Sequence, residues 1–165
     1  SSSSDPVAVS DSPFGTRSGA FTFFFSLFSY TNPSNWWMMA TNNDGNNFIG
    51  QINDNFRLDS NQDIKADYQA SSYTVPNNQE VTFYFTMSAS GTFKVYKNGT
   101  YLGSGNYVGT WTDDNVVFEY LDKYSGSSYQ WTKQMFFSGF YNRELSASEI
   151  SSNQAYHNLR LSTGL

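Results

Sequence analysis

Glu119 and Asp122, in the stretch FEYLD, are the closest the sequence comes to a catalytic carboxylate pair. Hydrolysis of a glycosidic bond needs two carboxyl groups roughly 5 to 10 Å apart, one of them held protonated. On a strand, a spacing of three sends two side chains to opposite faces. The pair therefore reads as a solvent-facing glutamate and a loop aspartate. Nucleophilic catalysis has no better footing, because the sequence holds no cysteine, one histidine and no Gly-x-Ser-x-Gly elbow. That histidine, His157, is expected at the surface near a helix C-terminus, where positive charge is welcome. A single imidazole does not make a zinc site.

Calcium is the one cofactor for which ligands are on offer, since it takes several oxygens and tolerates carbonyls and waters. The candidate loops are NNDGNN, around Asp44, and TDDN, with Asp113, Asp114 and Asn115. Neither has EF-hand spacing, and both also read as ordinary turns. Sugar binding is the remaining chemistry. Aromatic faces stack on the apolar side of a pyranose while amides and carboxylates bond its hydroxyls. Trp36, Trp37, Tyr107, Trp111, Tyr124, Tyr129 and Trp131 lie near turn-rich segments. In NWWMM adjacent side chains point to opposite faces, so one of Trp36 and Trp37 belongs to the core. The stretches from 107 to 115 and from 122 to 132 are the stronger candidates. They join Tyr107, Trp111, Tyr124, Tyr129 and Trp131 to Asp113, Asn115 and other polar groups in loops, where binding groups concentrate.

The elements that must carry these loops read as strands almost throughout. A short edge strand is expected at Val7 to Val9. AFTFFFSLF then alternates, with Phe21, Phe23, Phe25 and Leu27 on one face and Thr22, Phe24, Ser26 and Phe28 on the other. WWMMA, NFIGQI, DNFRLDS, VVFEYL and QMFFSGFY supply further strands. EVTFYFTMS places Val81, Phe83, Phe85 and Met87 together. TFKVYKNGTYLGSG holds two short strand patterns around Asn98-Gly99, the pair that tolerates the positive φ angles of a type I′ turn. Asn98-Gly99-Thr100 is also an N-glycosylation acceptor pattern, although turn chemistry alone accounts for it. One helix is expected from Ser146 to about Tyr156. Ser146 and Glu149 form a capping box, and Leu145 and Ile150 a hydrophobic staple. It follows the last strand directly and is expected to pack on the sandwich rim.

The 165 residues fit one domain, with 1–17 as a flexible Ser-rich arm and 18–165 as the folded unit. The core is supplied by 15 Phe, 12 Tyr and 4 Trp, and only 14% of residues are charged. A net charge of −5 with scattered basic residues argues against nucleic acid and anionic membranes as partners. No apolar run approaches the length of a membrane span, and no signal peptide is expected from the first residues. Without cysteine, the fold must be held by its core alone.

The order of these elements resembles the laminin G-like, concanavalin A-like jelly rolls, most specifically in VYKNGTYLGSG (95–105) and YNRELSASEI (141–150). The resemblance implies an all-β fold, an antiparallel β-sandwich with one short C-terminal helix. It also implies a calcium site at the rim in many relatives, without placing it. The ending NQAYHNLRLSTGL is similar to tails of phage and large-virus structural proteins. That similarity implies a domain displayed on a virion, as decoration, fibre or adhesin. With the aromatic-plus-amide loops and without a catalytic carboxylate pair, the expectation is a non-catalytic recognition and display domain, on a virion surface or extracellular. Its expected partners are a glycan or cell-surface ligand, other virion or surface proteins, and further copies of itself as a homo-oligomer. A lectin-like module of a secreted protein is the alternative, and a glucanase-like enzyme the third reading.

Overall fold

The computed structural model describes residues 7–8, 16–17, 19–29, 36–41, 48–52, 55–60, 63–69, 77–108, 116–117, 120–121 and 133–163. In chain order the strands are β1 (Val7–Ala8), β2 (Thr16–Arg17), β3 (Phe21–Ser29), β4 (Trp36–Thr41) and β5 (Phe48–Ile52). β6 (Asn55–Ser60), β7 (Asp63–Gln69), β8 (Gln79–Met87), β9 (Thr92–Lys97) and β10 (Thr100–Asn106) follow. β11 (Val116–Val117), β12 (Tyr120–Leu121) and β13 (Lys133–Tyr141) precede the helix α1 (Ala147–Thr163).

Two antiparallel sheets stack. One has the order β1-β12-β4-β5-β6-β7 and the other β10-β9-β8-β3-β13, with β11 and β2 forming a small ribbon beside them. β1 and β2 fall inside the stretch expected to be a flexible arm. Val7 pairs with Leu121, and Thr16 with Val117, so sheet pairing begins well before residue 18.

Strand alternation decides the core. Phe21, Phe23, Phe25 and Leu27 of β3 and Val81, Phe83, Phe85 and Met87 of β8 point inward, as their spacing requires. They meet Ile49, Phe56 and Leu58 of the facing sheet. Phe56 bridges the layers, its ring centroid 5.5 Å from Phe83 and 6.0 Å from Phe85. The layers also close along one side, where β7 packs on β10. There the Tyr68 hydroxyl donates to the Leu102 carbonyl at 2.8 Å. A Cβ at Gly105 would collide with the Asp67 carbonyl, and one at Gly103 with the Tyr68 ring. Glycines two apart in a strand thus mark where a neighbouring strand comes close.

The β9–β10 hairpin turns at Asn98 and Gly99, with φ of 49° and 78°. Asn98 is also tied to β8, since its Oδ1 accepts from the Thr82 N–H at 2.8 Å and its own N–H donates to the Thr82 carbonyl. Helix α1 differs from expectation in two ways. It continues to Thr163, because no breaker follows Tyr156 and Leu161 extends the buried stripe of Ile150, Gln154 and His157 at helical spacing. It also lies against the outer face of the five-stranded sheet rather than on the rim. There Leu145 and Ile150 join Phe24, Tyr84 and Tyr96 in a second cluster.

Candidate functional site

Of the seven proposed ligand-binding residues, Tyr107 is the one the structure describes. Its N–H donates to the Gly91 carbonyl at 2.7 Å, which pins the end of β10 beside the turn between β8 and β9. Only 8% of the residue is exposed, and its ring belongs to the central core. Tyr107 is therefore no open stacking platform. The bond that fixes its backbone rolls its ring inward. Trp111, Asp113, Asn115, Tyr124, Tyr129 and Trp131 lie outside the described residues, as do Asp44 and Asp114 of the candidate calcium loops. Glu119 and Asp122 lie outside them too, and nothing is described of the side chains of Trp36 and Trp37. Among the described residues, no group of three His, Cys, Asp or Glu side chains is placed to hold a metal ion.

The strand ends that deliver these loops are well defined. Stretch 107–115 leaves the sandwich at the end marked by Gly91, where Met87 pairs with Phe93 and Asn106 with Thr92. Residues 42–47 depart from the corresponding end of the other sheet, between the paired residues Thr41 and Phe48. The link between the sheets sets that correspondence, since Asp67 sits against Gly105 and Tyr68 against Leu102 and Gly103. Stretch 122–132, by contrast, starts beside Ala40 and delivers the chain to Lys133 at the opposite end, paired with Ser29.

A shallow cleft of about 240 Å³ opens where β13 passes into α1, lined by Tyr141, Arg143, Leu145, Ser148, Glu149, Ser152 and Asn153. Its polar groups are engaged with one another. Arg143 forks onto both Glu149 oxygens at 2.7 and 3.1 Å, and the Glu149 Oε2 accepts the Ser146 N–H at 2.8 Å. The Glu149 N–H completes the box by donating to Ser146 Oγ at 3.3 Å. Asn153 donates to the Tyr141 hydroxyl at 3.1 Å. The Arg143 bonds, followed by those from Ser146, hold the Glu149 carboxyl down at about 2. A carboxylate so held cannot serve as a general acid near neutrality. Its work is to close the helix entrance.

His157 is buried, not on the surface, with 8% exposure. Its Nδ1 lies 3.0 Å from the Tyr84 hydroxyl, and its ring is 4.3 Å from Phe137 and 5.2 Å from Phe24, centroid to centroid. Burial, with Arg160 nearby, pushes the imidazole below its usual value. Burial likewise pushes the Tyr84 phenol up. The spacing Ile150–Gln154–His157 was the signal available in the sequence, since it continues the apolar face of the helix.

Two facing antiparallel sheets, loops delivered at both ends and a helix laid on one outer face define a lectin-type jelly roll. Residues 1–151 match the laminin G-like family of the concanavalin A-like lectin/glucanases superfamily, and the chain belongs to it. No curated protein matches the chain significantly in sequence. Among solved structures, botulinum neurotoxin type C, studied for its dependence on two ganglioside molecules in cell entry, is similar at a TM-score of 0.65. It is 16% identical, and the match covers 94% of this chain and 41% of the toxin chain. Domain 4 of AbnA, an extracellular GH43 arabinanase from Geobacillus stearothermophilus solved with arabinotriose, matches with TM-score 0.62 and 15% identity. That match covers 89% of this chain and 71% of the other. The Trypanosoma rangeli sialidase matches with TM-score 0.54 and 16% identity, over 85% of this chain and 23% of its own. This chain thus spans less than half of the toxin and sialidase chains, and at such identities the likeness is one of fold.

Proposed function

We propose that this domain recognises glycans without catalysing a reaction and is displayed on an exterior surface, as a virion decoration, fibre or adhesin module. The observation that carries the reading is membership, over residues 1–151, of a superfamily of lectins and glucanases. The sequence stretches 107–115 and 122–132 support it, because Trp111, Trp131, Tyr124 and Tyr129 stand there beside Asp113, Asn115 and other polar groups. Two structural neighbours were studied with sugar ligands, gangliosides for the toxin and arabinotriose for the arabinanase domain. The carboxylate with the clearest perturbation among the described residues, Glu149, is shifted away from general-acid chemistry.

The test is a glycan array probed with the intact chain, once with calcium and once with a chelator. Binding to at least one glycan class, weakened about tenfold in Trp111→Ala or Trp131→Ala, is the expected result. A flat response under both conditions sinks the recognition reading. Display is tested separately by the native mass on light scattering. A defined assembly or particle-bound copy number is expected, and a free monomer released from a polysaccharide-degrading enzyme overturns it. A carbohydrate-binding module of a secreted protein is the second reading, favoured by the match to one domain of an extracellular arabinanase.

A further inference from the structure

The outer face of the five-stranded sheet is unusual for a surface that is covered. Phe24, Tyr84 and Tyr96 share it with Thr22, Ser26, Thr82 and Thr86, and all seven residues are buried. Against it α1 brings Ile150, then Gln154 and His157. The polar match is incomplete. Thr86 Oγ1 and Gln154 Oε1 have no hydrogen-bond partner among the described residues, and the Gln154 Nε2 bond to Thr82 Oγ1 is stretched to 3.5 Å. Buried polar atoms left without partners weaken an interface.

The two halves of the helix are held differently. The start is fastened by the Ser146–Glu149 box, by Arg143 on Glu149, by Lys94 on Glu144 at 2.7 Å and by Thr22, which bonds both Leu145 and Arg143. Asn153 adds its bond to Tyr141. From residue 154 onward the ties to the sheet include the stretched Gln154 bond and the Tyr84–His157 bond. This second half also lies beyond the family match, which ends at residue 151.

We infer that residues 154–163 form an acid-released flap, hinged at the capped start of α1 and latched by His157 in its pocket of rings. In the neutral latch the Tyr84 hydroxyl and His157 Nδ1 share one hydrogen bond at 3.0 Å, whichever of them donates. Protonation leaves Nδ1 able only to donate and places a buried charge among Phe24, Tyr84 and Phe137, where no described carboxylate is ion-paired with it. Among the described groups around it there is no carboxylate to offset that charge. From β3 it faces Phe24, from β8 the Tyr84 phenol, from β13 Phe137 with Tyr141 beyond Phe24, and from its own helix Tyr156 and the cationic Arg160. Glu144 and Glu149 are both bonded elsewhere. The docked state therefore binds fewer protons than the released one. Acid favours release, beginning near the ordinary imidazole value of 6.5 and continuing down through the lower docked value. A short released segment does not hold helix by itself. Release uncovers the face of rings and hydroxyls beneath.

Amide exchange on the intact chain, from about pH 7.5 to about pH 5 and corrected for intrinsic rate, tests the flap. Protection at residues 155–163 is expected to be lost in a step as the pH falls below the ordinary imidazole value, while 147–152, β3 and β8 hold. His157 is the single histidine of the chain, so its ring resonance should titrate with the same midpoint. His157→Phe keeps the ring packing without the proton and should remove the step. Should that variant release the flap at every pH, His157→Gln must still show no step. Constant protection in the native chain, loss shared equally by β3 and β8, or a step that persists in both variants overturns the inference.

Discussion

Replacing Thr22 by valine isolates a single polar atom that joins sheet to helix. Thr22 is fully buried at 0% exposure, and its Oγ1 donates to the Arg143 carbonyl at 3.0 Å while accepting the Leu145 N–H at 2.9 Å. Valine fills nearly the same volume but leaves that amide unpaired. A buried group without its partner costs about 1 to 3 kcal/mol. The Arg143 carbonyl lies in a part-buried bond and can recover water, so the amide dominates and the expected loss is about 2 kcal/mol. In a chain of this size each kcal/mol moves Tm by about 2–4 °C, which gives a fall of about 4–8 °C by circular dichroism. Thr22→Ser supplies the control, because it keeps both bonds and deletes one methyl, worth about 1 kcal/mol. If serine destabilises as much as valine, packing rather than the bridge holds the helix entrance, and the reasoning fails.

Gly105→Ala should destabilise by about 1–3 kcal/mol in urea melts, since its methyl meets the Asp67 backbone carbonyl rather than a movable side chain. Ser146→Ala should cost about 1 kcal/mol through the lost cap and leave glycan binding unchanged; weaker binding at intact stability would give Ser146 a functional role. Trp111→Ala and Trp131→Ala should each weaken glycan binding about tenfold in titration calorimetry while leaving Tm within about 1–2 °C, as loop positions permit. Glu149 sits at about 2 against an ordinary 4.5. Its contribution is complete above pH 4.5 and lost as pH falls toward 2, so Glu149→Gln should flatten acid melts in that range alone.

The strands with aromatic alternation were legible because one face of each was saturated with rings, as in β3 and β8. The hairpin at Asn98-Gly99 and the capping box at Ser146 were legible because they rest on local chemistry, and both formed as their residues require. β7, DIKADYQ, was missed. Its alternation of Ile64, Ala66 and Tyr68 with charged or polar neighbours is regular, but it lacks the aromatic density of the other strands. Gly103 and Gly105 carried a second unread signal. Two glycines at strand spacing point to a close neighbour on one face, and β7 is that neighbour.

Site residues were harder to read because residue type carries little information in a chain that is 19% aromatic. Tyr107 and Trp111 looked equivalent as members of one loop stretch. Yet Tyr107 still belongs to the sandwich, because its N–H reaches the carbonyl of Gly91, whose φ of 85° sets the turn between β8 and β9. Whether a ring becomes platform or core thus depends on where the last backbone bond of its strand falls, and a partner sixteen residues away decides that. His157 carries the same lesson on the helix. As a residue type it reads as surface, but its place in the spacing with Ile150 and Gln154 puts it against Tyr84. Position relative to a distant element, rather than chemical character, separates the groups free to meet a ligand from those that hold the fold closed.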